Sequence, residues 1–401
     1  MSKSIHFFGQ SVFGQLISLI DRLQVKQAVK TTSSDFSCKG FYTWDHLVSM
    51  LICTVGNCNS LREVAAASLG LKGKTEHLGL QRLPKRSTLS DANRRRTPQV
   101  FELIYHGLLG KYRSFISDSR LKDIFGKDVF IIDSTTISLF KAILKCVGRK
   151  PKSGREKGGI KVHTMLNADE QVPQLIWFSD ARTHDSVFWN KISLKKDAFY
   201  IFDKGYVDYE RYEKLCNDEI SFVTRLKDNA AFESLQELEI PDNIDVGVLK
   251  DEWISLPIRE NGQIIRRLHL RRIAYWDDLQ KRVIIFLTNQ KEIDAGQIAL
   301  LYKQRWQIEI LFKQLKQNFP LKYFLGDNTN AITIQIWCTL IVNLLLTVIR
   351  ERVKRKWSFS NIVSFVRLHL FNHIHLIKFL ENPEKDWQEE LFTNQLLIFS
   401  D

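Results

Sequence analysis

The sequence predicts an α/β protein in which a strand-rich middle lies between helical N-terminal and C-terminal regions. Three observations carry this reading. Up to about residue 120, apolar residues recur at helical spacing, as in Val12-Phe13-x-x-Leu16-Ile17-x-Leu19-Ile20 and Phe101-x-Leu103-Ile104-x-x-x-Leu108-Leu109. From about Leu121 the chain changes to short β-branched and aromatic runs divided by turn residues. From about Ala295 helical spacing returns and persists toward Asp401.

The N-terminal region is also the most basic. Residues 1–120 hold 17 Lys+Arg against 8 Asp+Glu, which is +9 of the chain's +13. The densest cluster runs from Lys85-Arg86 to Arg94-Arg95-Arg96, with Ser87 or Ser90 available to cap a helix. Such clustering suits a helical module that grips phosphates through Lys85, Arg86, Arg94, Arg95 and Arg96. A globular composition, 44% hydrophobic and 26% charged with 8 Pro and 19 Gly in 401 residues, excludes a disordered or fibrous chain. A sequence pI near 9.3 favours a polyanion, and nucleic acid first, as partner.

In the middle, Asp128-Val-Phe-Ile-Ile-Asp133 reads as a buried strand ending in a carboxylate. Lys141 to Lys161, with eight Lys/Arg and one Glu, reads as a basic loop. A hairpin comes next, Ile160 to Leu166 and Gln174 to Phe178, and then Ala198-Phe-Tyr-Ile-Phe-Asp203, a second strand closed by a carboxylate. A helix over Tyr209 to Cys216 and a strand over Ile220 to Thr224 succeed it. Within 228–291 the clearest signal is Asn261-Gly262 between two alternating runs, the pair a type I′ turn requires because both positions need positive φ.

After Leu287-Thr288-Asn289 one helix is expected from about Ala295 to Lys316. The apolar stretch Ala331 to Ile349 approaches the length of a membrane span, but Gln335, Thr339, Asn343 and Thr347 form one polar stripe along it. That pattern suits a helix buried in a protein core. Six scattered cysteines form no C-x-x-C pair, and Met1 to Leu23 lacks the pattern of an export signal, so free thiols and a cytoplasmic protein are expected.

Two strands that each end in Asp, with a helix carrying an inward Glu far downstream, match the needs of two-metal phosphoryl transfer. Asp133, Asp203 and Glu309 would hold two Mg²⁺ ions, with Mn²⁺ able to substitute. Asp180 and Asp185 compete for the second position, but Asp203 ends a cleaner apolar strand and is succeeded by Gly205 and Tyr206. On one helix, Tyr302, Arg305, Glu309 and Lys316 would fall within about 60° of arc, presenting phenol, guanidinium, carboxylate and ammonium together. Ile308, Leu311, Phe312 and Leu315 would pack the adjoining sector, and Trp306 is also expected in the core. His163 and His184 are as consistent with structural roles as with DNA contact.

Here the sequence resembles the bacterial insertion-sequence transposases of the DDE type, in insertion-sequence family four, whose signature is Y-x2-R-x3-E-x6-K. It stands as Tyr302-Lys-Gln-Arg305-Trp-Gln-Ile-Glu309-Ile-Leu-Phe-Lys-Gln-Leu-Lys316. Phe202-Asp203-Lys-Gly205-Tyr206 is similar to the family's D-x-G-Y, and Ile131-Ile132-Asp133-Ser134-Thr135 to its first-Asp strand. Lys161-Val-His163 and His184-Asp185 add further similarity.

The resemblance implies an RNase H-like catalytic core interrupted by a β-rich insertion between the second Asp and the Glu, here 106 residues apart. It divides the chain into a helical DNA-binding domain (1–120), a first part of the core (121–227), the insertion (228–291), a second part with the signature helix (292–350) and a helical C-terminal region (351–401). Arg305 and Lys316 would hold phosphates beside the cut end while Tyr302 positions it. Some relatives stack a flipped base on a tryptophan where this chain has Val283-Ile-Ile-Phe286, leaving Phe286 or Trp276 as the aromatic substitute. The implied protein is a homodimer on paired DNA ends, nucleoid-associated, that cuts the terminal inverted repeats of an insertion sequence and joins the 3′-OH ends to target DNA. A nuclease without strand transfer and an inactive DNA-binding regulator are the alternative classes.

Overall fold

A computed structural model describes residues 9–73, 75–117, 120–139, 158–240, 247–321 and 324–384. The expected basic loop Lys141 to Lys161 lies outside the described residues over 140–157, as does the C-terminal stretch 385–401. In chain order, helices α1 (Val12–Ile17), α2 (Arg22–Thr32), α3 (Thr43–Gly56), α4 (Leu61–Ser68), α5 (Arg86–Arg95), α6 (Gln99–Ile116) and α7 (Arg120–Phe125) come first. Strands β1 (Asp128–Leu139), β2 (Gly158–Asn167), β3 (Val172–Asp180) and β4 (Ala198–Phe202) come after them, then α8 (Tyr209–Asn217) and β5 (Ser221–Arg225). Next are β6 (Glu233–Glu237), β7 (Val248–Glu260), β8 (Gln263–Asp277) and β9 (Arg282–Thr288). Helices α9 (Ala295–Lys303), α10 (Trp306–Asn318), α11 (Thr329–Arg352), α12 (Phe359–Leu368) and α13 (Leu376–Glu381) complete the described chain.

The chain forms two compact units, one drawn from Met1–Ile116 with Gln314–Asp401 and the other from Ser117–Lys313. The expected segment 292–350 is thus divided at Lys313. In the first unit α11 packs against α3 and α6, with the Trp337 and Tyr105 rings 5.5 Å apart. Helix α11 is long and apolar enough to cross a membrane, and its apolar window is entirely buried within the protein. Its polar stripe is buried as expected and internally satisfied. Gln335 Nε2 donates to Pro320 O (2.7 Å), its Oε1 accepts from Leu325 N–H (3.0 Å), and Asn343 Oδ1 accepts from Gln314 (2.8 Å). The cap expected on α5 is absent: the helix starts after Lys85 with no side-chain cap bond, and Ser87 and Ser90 lie inside it.

The second unit is built on one nine-stranded sheet in the order β3-β2-β1-β4-β5-β9-β8-β7-β6. Strands β1, β2 and β3 form an antiparallel meander, whereas β1, β4 and β5 run parallel. Continuous apolar runs suit such central strands, which are covered on both faces, and every residue of β4 is buried. Phe130, Ile132, Tyr200, Phe202 and Phe222 form the core of one face with Phe188, Trp189, Tyr206 and Tyr212. The expected insertion extends the same sheet through β9, which pairs antiparallel with β5. Its hairpin turn has φ +50° at Asn261 and +84° at Gly262, the positive values that the Asn-Gly pair signals.

Candidate active site

The parallel pairing of β1 with β4 brings two of the three expected acids side by side. Ile132 is in register with Phe202, so Asp133 and Asp203, the next residue of each segment, stand together where the β1–β4 ladder ends. Ligands gather at the carboxyl ends of strands in open α/β sheets, where side chains are no longer covered by the neighbouring strand. Asp133 Oδ1 accepts from Ser134 N–H at 2.8 Å, and Asp203 Oδ1 from Lys204 N–H at 2.7 Å.

The helix expected from Ala295 to Lys316 is two helices. Gln304 and Arg305 donate backbone bonds three residues back, to Leu301 O and Tyr302 O (both 3.0 Å), tightening the chain into a turn between α9 and α10. The break leaves Tyr302 and Arg305 facing the acids. Tyr302 lies in the last turn of α9 with its hydroxyl 3.4 Å from Asp203 Oδ1. Arg305, in the turn, reaches Asp133 Oδ2 with Nη1 (3.4 Å) and Glu309 Oε1 with Nη2 (2.6 Å). One guanidinium therefore joins Asp133, which lies within β1 and not at its end as the sequence suggests, to Glu309 on α10.

Burial dominates the electrostatics. The Asp133 side chain is 19% exposed. Burial, reinforced by the Asp203 and Glu309 charges, pushes its carboxyl from 3.8 up to about 6 against the opposing pull of Ser134 N–H and Arg305. Burial likewise raises the Tyr302 phenol, so it stays protonated and able to donate. An all-oxygen donor set of this kind suits a hard divalent cation. Among the described residues no three His, Cys, Asp or Glu side chains converge tightly enough to enclose one ion, and the Arg305 guanidinium lies between Asp133 and Glu309. The donor chemistry fits a metal ion; its ligation calls for Arg305 to turn aside.

Lys316 is exposed on the last turn of α10, two helical turns beyond Glu309. Lys85, Arg86, Arg94 and Arg95 are exposed along α5 and its start. Arg96 corrects the expectation of a phosphate contact: it is 6% exposed, with Nη2 donating to Phe41 O at 3.0 Å and pairing with Asp35 at 3.4 Å. A guanidinium spent on fastening the loop before α3 is not available to DNA. Ile308, Leu311, Phe312 and Leu315 are buried as expected, but Trp306 is 56% exposed, being the first residue after the turn. Phe286 is also corrected as a stacking surface: it is 1% exposed, with its ring 5.0 Å from that of Tyr302, which it supports. Trp276 retains 38% exposure.

Sequence reasoning passed over Arg225. Continuing the register of β4 with β5 sets Arg225 beside Asp203, and its charge acts on Tyr302. Its Nε is buried without a hydrogen-bond partner among the described residues. The usable signal was its place at the end of a strand, which becomes informative only once β5 is known to be parallel to β4.

These features describe carboxylates at the end of a parallel ladder in the middle of the sheet, joined by a guanidinium to a third on a helix. Residues 124–345 match the family described as the transposase DDE domain, and residues 8–81 match a domain of unknown function, DUF4372. A protein of Sinorhizobium fredii named as the transposase y4zB is 32% identical over 270 residues, covering 66% of this chain and 71% of that one. Proteins named as insertion-sequence transposases from Synechocystis (28% identity; 69% of this chain, 73% of that one) and Geobacillus stearothermophilus (25%; 61% and 62%) are also similar. A cryo-EM structure of the piggyBac transposase synaptic complex with hairpin DNA aligns over 96% of this chain and 83% of that one, at TM-score 0.43 and 13% identity. The chain belongs to the DDE transposase family. It is a DNA transposase, a polynucleotidyl transferase and endonuclease that depends on a divalent metal.

Proposed function

We propose that the chain is an insertion-sequence transposase of family four, and that Asp133, Asp203 and Glu309 are its catalytic, metal-holding acids. The carrying observation is that Asp133 and Asp203 stand on adjacent parallel strands while Arg305 links Asp133 to Glu309. The strand order β3-β2-β1-β4-β5 supports an RNase H-like core, with β6 to β9 as its β-rich insertion. Two Mg²⁺ ions, or Mn²⁺, bound by these carboxylates would activate the attacking oxygen and stabilise the leaving one. Hydrolysis frees a 3′-OH at each element end, and that hydroxyl attacks a target phosphodiester in line.

Arg305 and Lys316, with Arg225, take phosphates beside the cut end, since guanidinium and ammonium groups match phosphate oxygens. Tyr302 orients the end through its phenolic O–H. The basic face of α5, with Lys85, Arg86, Arg94 and Arg95, grips the duplex backbone from a helical DNA-binding domain over 1–120. The terminal inverted repeats of the element are the substrate, held by a homodimer on paired ends, in the cytoplasm of a bacterium beside its chromosome. The test is to incubate the purified full chain and Mg²⁺ with the DNA that flanks its own reading frame, then map the products. Cleavage at both element ends and joining to a target plasmid is expected. Cleavage without joining would indicate a nuclease, and binding without cleavage a regulator.

A further inference from the structure

The transposase reading leaves unused a charged cluster on the opposite side of β1 from Asp133. Strand β1 pairs with β2 so that Ser134 faces His163 and Thr136 faces Lys161. Alternate residues share a face, so Ser134, His163 and Lys161 point away from Asp133. Asp185 meets them there. Its Oδ1 accepts from Ser134 Oγ (2.6 Å), lies 3.2 Å from Lys161 Nζ and 3.9 Å from His163 Nδ1, which has no hydrogen-bond partner among the described residues. Burial lowers His163 to about 4, so it is neutral at pH 7 and, among the described residues, Lys161 is the cation that pairs with the carboxylate.

Two features make this more than a stray ion pair. First, Asp185 is held rigidly, because it opens a 3₁₀ turn (Asp185–Lys191) whose Phe188 and Trp189 are fully buried. Trp189 packs edge-on against Phe202 at 4.8 Å, and its Nε1 donates to Tyr206 O at 3.4 Å. Second, Asp185 lies against the residues just beyond both Asp133 and Asp203. Ser134 donates its N–H to Asp133 and its hydroxyl to Asp185. A Cβ added at Gly205, two residues after Asp203, would lie only 3.4 Å from Asp185 Oδ2.

We propose that Asp185 is a positioning residue: bonded to Ser134 Oγ and carried on a 3₁₀ segment whose Trp189 bonds Tyr206 O, it holds the segments that follow Asp133 and Asp203 together and so fixes the spacing of their carboxylates. The inference rests on the reading of those two acids as metal holders. Groups that orient metal ligands from behind typically change metal affinity ten- to a hundredfold when removed.

The test is Mn²⁺ binding to the DNA-free full chain, monitored by electron paramagnetic resonance, alongside a denaturation curve for each variant. D185A and S134A are expected to weaken Mn²⁺ binding about tenfold, and S134T, which keeps the hydroxyl, to restore it. S134A removes one partly exposed hydroxyl and so decides the matter even if D185A fails to fold. Mn²⁺ affinity unchanged in S134A while D133N abolishes binding would overturn the positioning role and leave the acids in place. Unchanged affinity in D133N as well would overturn the reading of Asp133, and this inference with it.

Discussion

An Asp133→Asn substitution should stabilise the metal-free protein, because the site holds its carboxylate against the preference of the fold. Burial raises the carboxyl from 3.8 to about 6. One pH unit is worth about 1.36 kcal/mol, so holding this group ionised at pH 7 costs the folded state about 3 kcal/mol. The sign is set by proton uptake: between about pH 4 and 6 the folded chain binds more protons at this carboxyl than the unfolded one, so stability falls as pH rises. Asn keeps an oxygen for Ser134 N–H and carries no charge. In urea denaturation with EDTA, the variant should match the parent near pH 4, gain with rising pH and lead by up to about 3 kcal/mol above pH 6. Divalent metal should then close the gap, since a ligand at a hundred times its Kd stabilises the state that binds it by about 2.7 kcal/mol. A variant less stable than the parent at pH 7 would refute the argument and make Asp133 a structural anchor.

Arg305→Lys should fail to restore function, because one ammonium cannot take two phosphate oxygens side by side as the guanidinium can; single-turnover cleavage about a hundredfold or more below the parent is expected. Phe286→Ala should cost about 3–5 kcal/mol in denaturant unfolding by emptying a fully buried site against Tyr302, while Trp276→Ala should stay within about 0.5 kcal/mol. The double variant Arg94→Ala with Arg95→Ala should lower the slope of log affinity against log salt by about 2 in a DNA-binding titration. Arg96→Ala should instead lower the stability of the first unit, read by thermal unfolding, since it takes the guanidinium donor from the buried Phe41 O and removes the ion pair with Asp35.

The separate parts of the site were legible because each is written in local pattern. The apolar run closed by Asp203 marks a strand end, that closed by Asp133 marks a strand which in fact continues to Leu139, Asn261-Gly262 marks a turn, and the helical spacing around Tyr302 and Glu309 marks helix on both sides of Arg305. The same locality set the limit. Helical spacing continues unbroken through Gln304, so nothing in the pattern shows that the backbone bonds there tighten to three residues. Arg94, Arg95 and Arg96 read alike, yet the third turns inward to carbonyls fixed by the loop before α3.

What the sequence determined by itself was the kind of most elements and the chemistry they carry, since side-chain period and turn geometry are properties of a few consecutive residues; the end of β1 and the break between α9 and α10 were not among them. Only the tertiary structure decided that β4 inserts between β1 and β5, with all three parallel. That choice sets Asp133 beside Asp203, aligns Arg225 with them and leaves Asp185 behind the strand. Strand order is a compromise among distant segments over buried area and hydrogen bonds, and no window of neighbouring residues contains it.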